Sequence, residues 1–438
     1  MKKTLFILAF MTSIFSFDSC QKLNEFTKMG SFEQKSKSVA DAQVALDWYG
    51  LQLRFLLERN TTMNPVEFGY LGIGLYEAVR GENTHLLSFS TKLNQMPLMP
   101  QLENKGYDWV TSANAVMASM VRSFNTGLTP ADSTSIDSLE NAYNQKASPN
   151  QNSEVFSRSR AFGRSVAAAI HDWYLTDNFN PSNAAYIPPV FPGAWIPTPP
   201  AFANGIMPYL STARFLLSDN ATIIVPPPPY AYSETPGSDF YNMVKNDYDV
   251  SLVLTTEQKN LANYFVDQGN GIGYTPGGHH FSVINQILMA KGVGLTVAAE
   301  VYAKAGIAER DATIVGFTAK YKYNRIRPVS YIRKVIDPNW LPFIPTPPHP
   351  EYPANHATIT GSVMQAVAIV LGNNLSFTDH TYDFRGFPPR SYTTIFGVAE
   401  ESGISRLYGG IHYKESIDTG WVIAKELGGK VGNINLQY

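Results

Sequence analysis

Long apolar stretches with a 3.6-residue period, no sustained two-residue alternation, and two proline-rich interruptions predict an all-α protein. The expected architecture is roughly ten helices in bundles, crossed by long proline-rich loops. Of the 438 residues, 44% are hydrophobic and 13% aromatic, enough apolar surface for one large domain or two. Charged residues make up only 16%, against about 25% in an average soluble protein, which argues against a disordered, coiled-coil or solvated repeat protein. Lys plus Arg (34) and Asp plus Glu (36) leave a net charge of -2, without the basic excess that binding a nucleic-acid backbone requires.

The chain opens with Met1-Lys2-Lys3 and an apolar run from Leu5 to Phe17, the layout of an export signal and too short to span a bilayer permanently. Ser19-Cys20 closes it in the manner of a lipobox, although Phe17 and Asp18 match that pattern poorly. Residues 1–20 therefore read as a signal peptide, either with lipidation at Cys20 or with ordinary secretion and an incidental cysteine. The expected location is the periplasm or, through that anchor alone, a membrane surface. Cys20 is the sole cysteine, so no intramolecular disulfide can form and the core must hold the fold unaided.

Residues 21–235 form the N-terminal helical region. In 40–59, Val44, Trp48, Leu51, Phe55 and Leu56 make a broad helical stripe. Asn64-Pro65 starts a second helix over 66–80 and Gly81 stops it. The segments 107–124, 133–146 and 154–175 continue the series. Between Asn180 and Tyr230 the prolines at 188–189, 199–200 and 226–229 forbid helix, and Tyr186, Phe191, Trp195 and Phe202 favour a packed cover. Residues 236–438 form the C-terminal helical domain, with helices expected over 256–267, 281–305, 308–323, 357–371, 393–408 and 414–427. No repeat of 20 to 50 residues is present.

The chemistry concentrates in this second region. Lys320 and Arg327 are seven residues apart, which places both cations on one side of a continued helix, where they repel unless an anion lies between them. Asn355 is positioned as an N-cap that sets His356 in a first turn, where free amides attract an anion. Gly409-Gly410 permits a reversal that brings Arg406 and His412 to one point. Each piece alone fits a solvated face or a structural histidine. Five such residues in so charge-poor a chain point to an oxyanion site. Other signals are fainter. The Gly269–Gly278 run lacks the ending of a nucleotide loop, His279-His280 cannot both face one metal, and Glu309 and Asp311 fit a charge pair at a helix start.

The set Lys320-x6-Arg327-Pro328, Pro353-Ala354-Asn355-His356 and Ser405-Arg406-x5-His412 resembles the signature of vanadium-dependent haloperoxidases and the type 2 phosphatidic acid phosphatase superfamily. The long helical first half, with Tyr76-Glu77-Ala78-Val79, Trp195-Ile196-Pro197-Thr198-Pro199-Pro200 and Pro276-Gly277-Gly278-His279, is similar to the bacterial haloperoxidase-related branch. The resemblance implies vanadate as cofactor, or none in a phosphatase. Lys320, Arg327, Arg406 and Asn355 would bind the oxyanion, His356 would act as acid-base residue, and His412 would bind vanadium or attack phosphorus. His349 stands where bromide-oxidising members carry histidine and is a candidate halide-site residue, with a plain loop histidine as the alternative. The partners implied are small molecules: halide and peroxide, or a phosphate ester. Two departures favour a third reading, an anion-binding lipoprotein without catalysis. Ala354-Asn355 replaces Ser-Gly and loses a hydroxyl, and Ser416 replaces an orienting Asp. Restoring Ser at Ala354 is expected to raise oxyanion affinity in a live enzyme.

Overall fold

The computed structural model describes residues 40–58, 65–147, 153–178, 186–223, 230–267 and 272–438. The signal segment 1–20 and Cys20 lie outside the described residues. Thirteen helices appear among the described ones: α1 (40–58), α2 (Pro65–Val79), α3 (Trp109–Phe124), α4 (Pro130–Ala147), α5 (Ser153–Leu175), α6 (Asp239–Leu252), α7 (Thr256–Tyr264), α8 (Pro276–Lys291), α9 (Leu295–Tyr323), α10 (Pro328–Val335), α11 (Gly361–Leu371), α12 (Gly397–Tyr408) and α13 (Lys414–Gly432). The all-α class holds, with one addition. Asn374–Asp379 (β1) and Arg390–Thr394 (β2) pair as an antiparallel hairpin, so the helix expected over 393–408 begins only at Gly397.

The centre of the molecule is α9, twenty-nine residues without a break. Its low-side-chain surface lets α2 cross at backbone distance: a Cβ on Gly72 would stand 2.5 Å from the Tyr302 carbonyl oxygen, and one on Gly306 would stand 2.5 Å from that of Phe68. The expected break near 305–308 is absent. It falls instead at Gly292-Val293-Gly294, because Gly292 takes a left-handed φ of 63° that closes α8 and Gly294 opens α9. Glu309 and Asp311 are therefore interior residues of α9 and not a charge pair at its start. Asp311 accepts hydrogen bonds from the Leu216 and Leu217 amides (2.8 and 3.0 Å) and from Asn220 Nδ2 (2.8 Å). It pins the irregular cover to the helix. Farther along that cover, Trp195 is fully buried and its amide donates to the Asn324 carbonyl, and the Ile206 amide donates to that of Pro348.

Two more expectations fail locally. α9 stops at Tyr323 with Asn324 in a left-handed conformation (φ 46°), so Lys320 and Arg327 do not share a helix face. Arg327 is extended and precedes α10, whose first residue is Pro328. Asn355 does not cap with its side chain: it is helical (φ -61°, ψ -34°) and leads into a π-helical turn, His356–Thr360, that feeds α11.

Candidate functional site

One cavity of about 480 Å³ opens among α7, α8, α9, the 344–356 loop and the α12–α13 turn. On its wall stand His349, Asn355, His356, Arg406 and His412, together with Asp267, His280 and Glu309. Lys320 and Arg327 lie behind that wall, both fully buried. The structure thus gathers the seven residues around one point and divides them into two layers.

The rear layer builds the loop. Lys320 Nζ spends its three donors on the carbonyls of Pro350 (3.1 Å), Glu351 (3.0 Å) and Pro353 (2.5 Å). Arg327 donates from Nε to the His349 carbonyl (2.8 Å), from Nη1 to the Ile411 carbonyl (2.7 Å) and His412 Nε2 (3.2 Å), and from Nη2 to His349 Nδ1 (2.9 Å). Two separated cations thereby clip both histidine-bearing loops together. Burial, and then the neighbouring Arg327 charge, hold the Lys320 ammonium well below its usual range; burial brings Arg327 down to about 10.

The front layer offers open polar atoms. An arginine only donates, so His412 Nε2 must accept from Arg327, and Nδ1–H donates to Glu351 Oε1 at 2.8 Å. Burial first, then the charges of Arg327 and Lys320, push His412 well below the normal histidine range. Glu351 itself is pushed up by burial and pulled back by Arg325, Lys320 and Arg327. It supplies the acidic orienter whose absence at Ser416 the sequence reading noted. Glu415, the other acid near that position, forms a two-pronged pair with Arg325 (both 2.9 Å).

His356 Nε2–H donates to Asp267 Oδ2 at 3.2 Å, which leaves Nδ1 without a protein partner among the described residues. Burial, and then Arg406, bring His356 down to about 4 despite Asp267. Asp267 takes the rare left-handed φ of 48° and also accepts from His279 Nδ1 (2.9 Å) and the Tyr382 hydroxyl (2.7 Å). His279 Nε2 reaches Asp379 at 3.0 Å, and between these two carboxylates its pKa rises to about 10 against the pull of burial. Burial pushes Asp267 up, but the two imidazoles outweigh it and hold the carboxyl well below the ordinary range.

Arg406 is fixed through Nε to Ser405 Oγ (3.0 Å) and through Nη2 to the Phe265 carbonyl, and its Nη1 makes no hydrogen bond among the described residues. Burial lowers it to about 10. Asn355 Oδ1 is buried without a partner and sits in a notch that only glycine leaves: a Cβ on Gly316 would stand 2.4 Å from it. Ala354 is not on the wall. It is fully buried in an apolar cluster with Ala357, Leu407 and Ile417. Among the described residues no cluster of three or more His, Cys, Asp or Glu has the geometry of a metal cage, and no helix is long and apolar enough to cross a membrane.

Sequence reasoning passed over Asp267, Glu351 and the acid-binding role of His279. Asp267 stands two residues before the Gly269–Gly278 run, whose only sequence signal is a failed nucleotide loop, and Glu351 stands between the prolines of the histidine motif.

A family model described as the VCPO second helical-bundle domain matches residues 300–438. Among solved structures, a bacterial vanadium-dependent iodoperoxidase is 28% identical, covering 90% of this chain and 97% of its own, with a TM-score of 0.81. A holo-type bacterial vanadium-dependent chloroperoxidase is 15% identical over 87% of this chain and 91% of its own, with a TM-score of 0.62, and shares the fold. No curated protein sequence gives a significant match.

Proposed function

As a member of the vanadium haloperoxidase superfamily, the chain is, we propose, an exported enzyme that binds vanadate and oxidises halide with hydrogen peroxide. The observation that carries this reading is the set of polar atoms on the cavity lining without a protein partner among the described residues, Arg406 Nη1, the Asn355 amide Nδ2 and His356 Nδ1, with the His412 ring and its Arg327 partner beside them. Donors and a titratable imidazole suit a tetrahedral oxyanion, and among the described residues no carboxyl bonds Arg406 or Arg327 to spend their charge. Vanadate held there would supply a Lewis-acidic centre that needs no change of oxidation state.

The protein's own part follows from the geometry. Arg406 Nη1 and the Asn355 amide grip oxyanion oxygens, the latter in place of the hydroxyl missing at Ala354. Glu351 keeps the His412 proton on Nδ1, so Nε2 keeps its lone pair, which accepts from Arg327 and would turn to an oxyanion guest only by giving up that bond. His356, neutral in the ligand-free cavity, takes or gives a proton at Nδ1 while Asp267 holds the other side of the ring. An anion beside it raises its pKa toward neutrality. Lys320 holds the loop and sets the local field rather than touching the guest. Similarity to the iodoperoxidase makes iodide the halide assigned first. His349, bonded to Arg327 and edge-on to Phe317 at 5.3 Å, lines the same cavity as the halide-site candidate.

A second reading rests on the Glu351–His412 pair, which equips the same imidazole for attack on phosphorus and removes the objection raised by Ser416. Protein lacking residues 1–20 is assayed with vanadate, peroxide and iodide, bromide or chloride, and separately with a chromogenic phosphate ester. Halide oxidation that requires vanadate supports the first reading. Ester cleavage blocked by vanadate supports the second, and silence in both leaves an anion-binding protein. Mass analysis of exported protein shows whether Cys20 carries lipid.

A further inference from the structure

The oxyanion wall uses only part of the cavity. At about 30 Å³ per water-sized group, a four-oxygen ion fills on the order of 120 Å³, well under half of the about 480 Å³ enclosed. The remainder is lined chiefly by apolar side chains, among them Phe68, Phe317, Ile359, Pro345 and Pro347. Set into that apolar wall is one polar device the proposed reaction leaves idle. Glu309 Oε2 and His280 Nδ1 are hydrogen bonded at 2.5 Å, His280 Nε2 meets Thr360 Oγ1 at 2.7 Å, and Thr360 Oγ1 lies 3.1 Å from Ser402 Oγ. Both residues of the pair are buried to within a few percent, yet both line the cavity. Glu309 Oε1 makes no hydrogen bond among the described residues, and the space before it is kept clear by Gly277, where a Cβ would stand 3.1 Å away.

A carboxyl oxygen left bare in an apolar chamber is costly unless something donates to it. An oxyanion is the wrong guest for it, because like charges repel and a carboxylate offers no donor. We propose that the chamber binds an apolar, aromatic-sized organic molecule carrying one hydrogen-bond donor, a phenolic hydroxyl being the type case. Its donor meets Glu309 Oε1, and its ring lies against Phe68, Phe317 and the prolines. The guest's role as the organic acceptor of the oxidised halide rests on the haloperoxidase reading; the binding itself does not.

The test uses the full chain without added vanadate, titrated by ligand-observed NMR with phenol, anisole and toluene. Anisole keeps the ring and oxygen of phenol but lacks the donor. The expected result is phenol binding about tenfold or more tighter than anisole, the range of a hydrogen bond to a charged group, with anisole near toluene. In Glu309→Gln the exposed amide can donate, so the phenol-to-anisole ratio falls to about threefold or less. Gly277→Ala, which sets a methyl before Oε1 and leaves the carboxyl in place, lowers the ratio in the same way and serves if the first variant does not fold. Equal binding of phenol and anisole by the wild type, or a ratio unchanged in the folded variants, overturns the proposal. Halide oxidation plays no part in these titrations. A chamber that discriminates in a protein inert toward halide overturns the function and keeps the subsite, and the converse result does the reverse.

Discussion

Glu351 shows how a single side chain decides what an imidazole can do. It is fully buried, its Oε1 accepts from His412 Nδ1, and it receives the Tyr413 amide at 3.2 Å as well. In Glu351→Ala the His412 ring loses the partner that fixes its tautomer, and vanadate affinity is expected to fall about tenfold or more, the worth of a lost hydrogen bond to a charged group; equilibrium titration of the purified variant measures it. Ala354→Ser now carries the opposite expectation from the one its motif position gave. Ala354 packs among Ala357, Leu407 and Ile417, so a hydroxyl there is buried in apolar surroundings, costing roughly 1–3 kcal/mol by urea unfolding with no gain in oxyanion affinity. His356 gives a pH signature. Its folded pKa of about 4 lies below the usual 6.5, so the unfolded chain takes up the proton first and the folded state binds fewer protons in between. The contribution is whole above about 6.5 and lost as pH falls toward 4. Relative to His356→Asn, the wild type should therefore lose unfolding free energy between pH 7 and pH 5, and parallel urea midpoints for the two proteins would rule the neutral imidazole out. The sequence made the motif residues visible because their types and order are unusual in a chain so poor in charge. It hid Asp267 and Glu351 because an acid's meaning lies in the donor it faces, and the cavity histidines they orient, His356 and His412, are about ninety and sixty positions away along the chain.

Elements were legible where periodicity was strong, and misplaced where glycines decide. The segment 281–323 reads as two helices parted near 306, and only the left-handed φ of Gly292 shows that the division falls earlier. The end of α9 was hidden for a related reason: Asn324 adopts φ 46° unaided by glycine, so Lys320 and Arg327 approach through loops and not along a helix face. The β1–β2 hairpin, whose strands mix exposed, half-buried and buried positions, carries too little alternation to announce itself. The α2–α9 crossing provides the matching prediction. Gly72→Ala places a methyl 2.5 Å from the Tyr302 carbonyl oxygen and should cost about 1–3 kcal/mol. Gly50→Ala in α1 meets nothing within 4 Å and should be neutral or stabilising by up to about 1 kcal/mol. Urea midpoints of the two variants, moving in opposite directions, check the crossing.

At the scale of the molecule, the site is assembled from distant parts of the chain: Asp267 after α7, the 344–356 loop, and the turn that joins α12 to α13. A ligand bridging them binds the folded state alone, so vanadate at a hundredfold its Kd should add about 2.7 kcal/mol to the unfolding free energy. Arg406→Met should abolish that gain while remaining folded, as followed by urea titration with and without vanadate. Along α9 the attachments follow one another: the α2 crossing at Gly306, the chamber at Glu309, the cover at Asp311, the Asn355 notch at Gly316 and the loop at Lys320. This helix is a graduated rod about 44 Å long, and its marks are set by rotation as well as by distance. A single residue inserted between positions 311 and 316 would swing every later mark by about 100° relative to the earlier ones. Descendants of this chain can exchange side chains along the rod, but they cannot change its length by one.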